Sequence, residues 1–232
     1  MTLKYFFITF LLFYSGIVVF GQRDDIVVPK EKKAYAYSSI KELKEGAIVV
    51  RLKTNHRKIQ LLEKTLKSNG LNKNQRKRHQ AILDGTIAVR DAFNNAIADM
   101  FLDSFSFCPV YLMYDTCSNA LKSGQKEGIF LNKDKTADSS IELNEPHVFL
   151  VNYKKSSGEF PFDVLRMQKL NDRLEDPFPY FIQLRESWIN QINTPRAARA
   201  VVQLDRKLKN FYNRALAYDI KVANKMDAKN TK

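Results

Sequence analysis

The most reactive side chains in this 232-residue chain are two thiols, Cys108 and Cys117, nine residues apart. A thiolate is stabilised at a helix N-terminus, and Cys117 follows Asp115-Thr116, where a turn can open a helix. Cys108 reads instead as a small buried hydrophobe. A disulfide needs its Cα atoms within about 7 Å. Residues 108–114 read as strand, which separates the two cysteines by roughly 20 Å or more at about 3.3 Å per residue. That strand and an intrachain disulfide exclude each other. There is no Cys-x-x-Cys, so a thioredoxin-type dithiol has no place here.

The three histidines, His56, His79 and His147, are not spaced with other ligand types in a metal pattern. His56 and His79 lie in basic runs and are expected to be exposed. His147 follows Glu145-Pro146 at a strand start, and nothing in the spacing supports pairing it with Cys117. No glycine-rich phosphate loop and no Gly-x-Ser-x-Gly elbow occurs. The sequence therefore assigns no catalytic residue, no metal and no cofactor. What remains is a ligand site of the kind open α/β sheets build outside the carboxyl ends of their strands. That rule collects Lys53, Thr54 and Asn55 after the first strand, Asp115, Thr116 and Cys117 after the second, and Asn132 after the third. The same residues are also expected helix caps and turn formers.

Elements must hold these positions. Residues 22–39 are polar and patternless and read as a flexible arm. A helical turn through Ile40 and Leu43 ends at Gly46, and Ala47 to Leu52 is a β-branched apolar run, a buried strand. Thr54 or Asn55 then caps a helix with Ile59, Leu62 and Leu66 on one face. A longer helix is expected from about Lys73 to Phe101, with Ile82, Val89, Phe93, Ile97 and Met100 at helical spacing and Gly85 inside it. Phe105–Tyr114 is the second strand, with Pro109 at its start or at a bulge. Strands follow at Gly128–Leu131, His147–Tyr153 and Phe162–Met167, the last two paired, and residues 175–182 form an extended edge. A final helix over 197–225 carries the stripe Val201, Leu204, Leu208, Phe211, Ala215 and Tyr218, and the last seven residues fray. This order predicts one α/β domain over 40–225. Its architecture is three-layer-like: a mixed sheet of about five strands packed by helices, with a long C-terminal amphipathic helix.

The formal net charge is +13 and unevenly placed. Residues 51–80 carry +9, including Arg57, Lys58, Lys73, Arg76, Lys77 and Arg78. Residues 196–232 carry +7, including Arg206, Lys207, Lys209 and Arg214, while residues 81–195 carry −5. Such segments suit anionic partners, lipid headgroups and acidic glycans among them, or they are simply solvated helix faces. Nucleic acid is disfavoured, because few aromatics interleave the basic residues for base stacking.

Residues 1–21 read as a secretory signal. Lys4 supplies the positive start, Tyr5–Phe20 has no charge, and Val19 and Gly21 suit the cleavage positions. The apolar run of about 16 residues is short of the roughly 20 that span a bilayer, so cleavage is favoured over an uncleaved anchor. The expected location is periplasmic or extracellular. The signal ending in Gly21-Gln22 and the segments KEGAIVVRLKTN (44–55), FCPVYLMYD (107–115) and PFPYFIQ (177–183) resemble short exported proteins of Bacteroidota-type bacteria. That resemblance implies an envelope or secreted location and transfers no catalytic residue. Three roles follow as expectations. The first is a non-catalytic module binding an anionic envelope surface or another envelope protein. The second is a small-ligand domain or enzyme with its site near Asp115 and Cys117. The third is an assembly component acting through the final helix.

Overall fold

The computed structural model describes residues 29–155, 163–184 and 194–230. The expected signal segment, residues 22–28 of the arm, the turn at 156–158, Phe162 and residues 231–232 lie outside the described residues. Six strands form one mixed sheet: β1 (Ala47–Leu52), β2 (Val110–Tyr114), β3 (Phe130–Leu131), β4 (Val148–Lys155), β5 (Asp163–Lys169) and β6 (Phe181–Leu184). Their order is β3-β2-β1-β4-β5-β6. β1 pairs parallel with β2 and with β4, while the β2–β3, β4–β5 and β5–β6 pairs are antiparallel. The fold is thus the α/β class expected, with one strand more at the edge, Phe181–Leu184; residues 175–180, expected to be extended, form a turn leading into it. Among the described residues no helix is long and apolar enough to cross a membrane.

β1 occupies the centre because its residues tolerate burial on both faces. Ile48, Val50 and Leu52 face a large core with Phe149, Val151, Leu165 and Met167 from neighbouring strands. Helices α1 (Lys30–Glu45), α3 (Lys73–Ser104) and α5 (Thr194–Asn230) contribute to the same core. Ala47 and Val49 face a smaller cluster with Met113, Leu150 and Leu121. Leu121 comes from the short helix α4 (Ser118–Lys122). The helix α2 (His56–Lys67) lies outside the core, with none of its residues fully buried.

Several expectations need correction. The expected arm is helical from Lys30, because Ala36, Tyr37, Ile40 and Leu43 form a buried stripe. Tyr37 stacks on Phe211 and Tyr218 of α5 at 5.3 and 5.2 Å. The inward face of α3 runs through Leu83, Thr86, Phe93, Ile97 and Phe101, whereas Ile82 and Val89 are exposed. β2 starts only at Val110: the Pro109 carbonyl still accepts from the Ile48 N–H at 3.0 Å, but the backbone at Ser106 and Phe107 bonds elsewhere. The Ser106 N–H donates to the buried Asp205 carboxylate at 2.9 Å, and the Phe107 carbonyl accepts from Lys44 Nζ at 2.7 Å. Pro109, without an N–H, precedes the strand as expected. α5 continues to Asn230 rather than fraying at residue 226. Its predicted stripe is buried within the chain from Val201 to Ala215, with Tyr218 half-buried, so that stripe is not a free surface.

Two glycines behave oppositely. A Cβ on Gly46 would lie 2.1 Å from the His147 carbonyl oxygen, so the turn from α1 into β1 requires glycine at this approach to β4. A Cβ on Gly85, inside α3, meets nothing within 4 Å. Gly46→Ala is expected to destabilise the fold by about 2–3 kcal/mol, because backbone must shift. Gly85→Ala is expected to stabilise it by about 0.5–1 kcal/mol through helix propensity. Urea unfolding of the two variants against the parent checks both signs.

Candidate functional site

The carboxyl ends of β1, β2 and β4 point to one edge of the sheet, because the three strands are parallel. At β1 the ladder stops abruptly. Asn94, buried on α3, accepts from the Lys53 N–H through Oδ1 at 3.0 Å and donates from Nδ2 to the Lys53 carbonyl at 2.8 Å. One side-chain amide thus replaces a neighbouring strand's backbone. The next residue is held from β2: Thr54 donates from its N–H and its hydroxyl to Asp115 Oδ1, at 3.1 and 2.6 Å. Arg90 Nη1 donates to the Thr54 carbonyl at 3.3 Å. Asn55 then takes a left-handed conformation, φ 51°, and α2 begins at His56.

Between these ends lies a cavity of about 670 Å³. It is lined by Arg51 of β1, Thr54 and Asn55, the first turn of α2 (His56, Arg57, Lys58), and Asp115, Thr116, Ser118 and Asn119 beyond β2. Its volume falls in the range of small-ligand sites. Arg51, Arg57 and Lys58 give it positive charge against the single carboxylate of Asp115, which already accepts both Thr54 donors. Asn55 makes no side-chain cap bond, so it does not occupy the first-turn N–H groups of α2, and no acid lies in that turn. Helix N-termini of this kind favour anions.

Of the seven residues expected at the strand ends, Thr54, Asn55, Asp115 and Thr116 line this cavity and Lys53, Cys117 and Asn132 do not. Lys53 points to the helical face, where Nζ lies 4.4 Å from the Tyr153 ring centroid and 5.4 Å from that of Phe93. Asn132 holds its own turn, with Oδ1 accepting from the N–H groups of Asp134 and Thr136 and from the Thr136 hydroxyl. Cys117 ends a 3-10 turn ahead of the five-residue α4 and packs against the smaller apolar cluster. The capping role expected of Thr54 is corrected too: its hydroxyl is bonded to Asp115.

Residues missed as site members are Arg51, His56, Ser118 and Asn119. Arg51 carried a signal, being the one charge in an otherwise apolar strand. Arg57 and Lys58, expected on a basic surface, line the cavity instead. The remaining basic residues form separate groups. Lys73, Arg76, Lys77 and Arg78 are exposed at the start of α3, with Arg76 donating to the Leu66 and Ser68 carbonyls. Arg206, Lys207, Lys209 and Arg214 lie near the end of α3, where Lys209 meets Ser106 and Asp205 at 2.7 and 2.6 Å. Arg214 stacks on Phe211 at 5.2 Å. At 1.5 Å rise per residue the two groups are about 40 Å apart along α3. They do not form one continuous surface. His56 is exposed as expected, whereas His79 is half-buried. His147 precedes β4 at its amino end, so the parallel sheet places it at the edge opposite Cys117.

Both cysteines are free thiols. Burial pushes the Cys108 thiol up to about 12, against a weaker opposing effect of the Ile48 backbone. Comparison with protein-family models, curated proteins and solved structures finds no match to this chain.

Two outcomes are expected. Asn94→Ala leaves the Lys53 N–H and carbonyl without their partner and lowers unfolding free energy by about 2 kcal/mol, measured in urea. Iodoacetamide at pH 8 modifies Cys108 slowly in the folded protein, because the thiol stays protonated there, and rapidly after unfolding. Peptide mass spectrometry reads both rates without added reductant.

Proposed function

We propose that this chain is an exported, non-catalytic binding module that takes an anionic group in the cavity at the carboxyl ends of β1 and β2. The observation that carries this reading is the cavity's lining. Arg51, Arg57 and Lys58 and the opening turn of a helix face one carboxylate, and that carboxylate is engaged by Thr54. Binding is favoured over catalysis because Asp115 is held as a structural acceptor and Cys117 packs into apolar surroundings. Among the described residues neither is hydrogen-bonded to a base at its reactive atom. The export part rests on residues 1–21, with Lys4 ahead of the uncharged run Tyr5–Phe20. It agrees with the location implied by the resemblance to short exported proteins. The natural ligand then belongs to the anionic chemistry of an envelope or its surroundings, presented as a headgroup or as a free small molecule.

Inorganic pyrophosphate is the probe for a test by calorimetric titration of the full chain. It is expected to bind, with affinity falling as salt rises. Arg57→Gln and Lys58→Gln are expected to weaken it by about ten-fold each, the scale of one lost charge-assisted hydrogen bond. Binding unchanged by both substitutions, or no binding at low salt, would refute the reading.

A further inference from the structure

We infer that Arg51, Asn152 and Arg166 form a second oxyanion subsite on the sheet itself, adjoining the cavity through Arg51. The sheet register sets these residues side by side. Arg51 pairs with Asn152 across β1–β4, and Asn152 pairs with Arg166 across β4–β5. All three therefore stand on the face of the sheet opposite the main helical core, the face shared with Val49 and Leu150. At about 4.8 Å per strand, the Arg51 and Arg166 backbones are roughly 10 Å apart. Two guanidinium side chains leaning over Asn152 from that distance can reach one tetrahedral or planar oxyanion.

The row is polar where the fold gives it no reason to be. Arg51 Nε, Asn152 Oδ1 and Arg166 Nε are each buried and make no hydrogen bond. Among the described residues no carboxylate is paired with either guanidinium. Among the described residues the contact made by the Arg166 guanidinium is with the Tyr180 ring, 5.6 Å from its central carbon. Further positive charge surrounds it. Lys154 stands two residues beyond Asn152 on the same face, and its pKa is lowered by burial and then by Arg166 and Arg173. Buried arginines are ordinarily compensated by acids, and leaving one unpaired is strongly unfavourable. Planar guanidinium forks match carboxylate and phosphate oxygens bidentately. An anion bridging the two arginines supplies the missing charge and acceptors, and the Asn152 amide is free to turn its N–H groups to the same anion.

The inference rests on the anion-binding reading of the cavity, because Arg51 lines both places. It specifies that reading: the ligand carries two oxyanion groups, one over the first turn of α2 and one over the sheet row. Arg166 does not line the cavity, so substitution there separates the two ideas.

Inorganic phosphate and pyrophosphate are titrated into the full chain, into Arg166→Met and Arg166→Lys, and into Arg57→Gln as the cavity control. The parent is expected to bind pyrophosphate more tightly than phosphate. Arg166→Met should weaken pyrophosphate about ten-fold, removing that preference, with Arg166→Lys intermediate because it keeps charge without the fork. Without ligand, Arg166→Met should melt at or above the parent temperature, since it removes a half-buried cation with no acid beside it among the described residues. If Arg57→Gln weakens pyrophosphate but Arg166→Met does not, the subsite is wrong and the cavity reading survives. If the parent binds neither ion, both fall. A ligand-free Arg166→Met that unfolds or melts well below the parent would make the row structural and overturn the inference. Malonate in a parallel titration distinguishes a dicarboxylate from a diphosphate ligand, and dependence of either on Arg166 supports the subsite.

Discussion

The end of the central strand is set by one side chain. β1 must leave the sheet at Lys53 while still buried between β2 and β4, and buried backbone groups need partners there. Asn94 supplies both at once, donating to the Lys53 carbonyl and accepting from its N–H. That bond fixes where β1 stops, and so where Thr54 meets Asp115 and where α2 begins. The cavity is the space these constraints leave. It owes its position to α3, an element whose polar residue is directed at the sheet rather than at a ligand. Asn94 is therefore a positioning residue, buried among the apolar side chains Phe93, Ile97 and Phe101 of its own helix.

The two faces of the sheet are unequal, and this inequality gives the edge its charge. One face carries three long helices and nearly all of the large aromatic side chains of the core. The other carries a short helix, loops and a small cluster centred on Met113, Leu121 and Phe130. The thin cover lies toward β2 and β3. Toward the carboxyl end of β4 the same face gains polar residues, Asn152 and Lys154 with Arg166 of β5, next to the buried Leu150 and Val164. Arg51 sits at the border between the apolar and the polar half. A charge in a strand otherwise buried on both faces is unfavourable unless something compensates it. Beside the cavity, the anion proposed above would supply that compensation.

Much of the architecture is legible in the residues themselves. The Ala47–Leu52 run announces a buried strand, and the loop-joined strands after residue 147 pair antiparallel because short connections allow nothing else. The stripe from Val201 to Ala215 announces a core-facing helix. Legibility fails where a distant partner decides. Phe105 to Phe107 looks like strand, yet its backbone bonds with Asp205 and Lys44, about a hundred and about sixty residues away in sequence. Lys30 to Ser39 looks like a polar arm, yet Tyr37 and Ile40 are buried under α5, whose aromatic surface no local pattern reveals. The site divides in the same way. Thr54, Asn55, Asp115 and Thr116 follow from the rule for strand ends, whereas Lys53 fails it because alternation along the chain turns its side chain to the opposite face.

By itself the sequence determined the class of fold, the central strand, the export expectation and the separation of charge into two basic segments around an acidic middle. These depend on composition and on periods of two and 3.6 residues, which neighbouring positions alone can express. Tertiary structure decided which charges meet. It set Arg57 and Lys58 into a cavity with Arg51, held the other basic groups about 40 Å apart along α3, and aligned Arg51 with Arg166 across three strands. The physical reason is that register and helix packing are relations between segments far apart in the chain, and a charge acquires its role from the neighbours those relations provide.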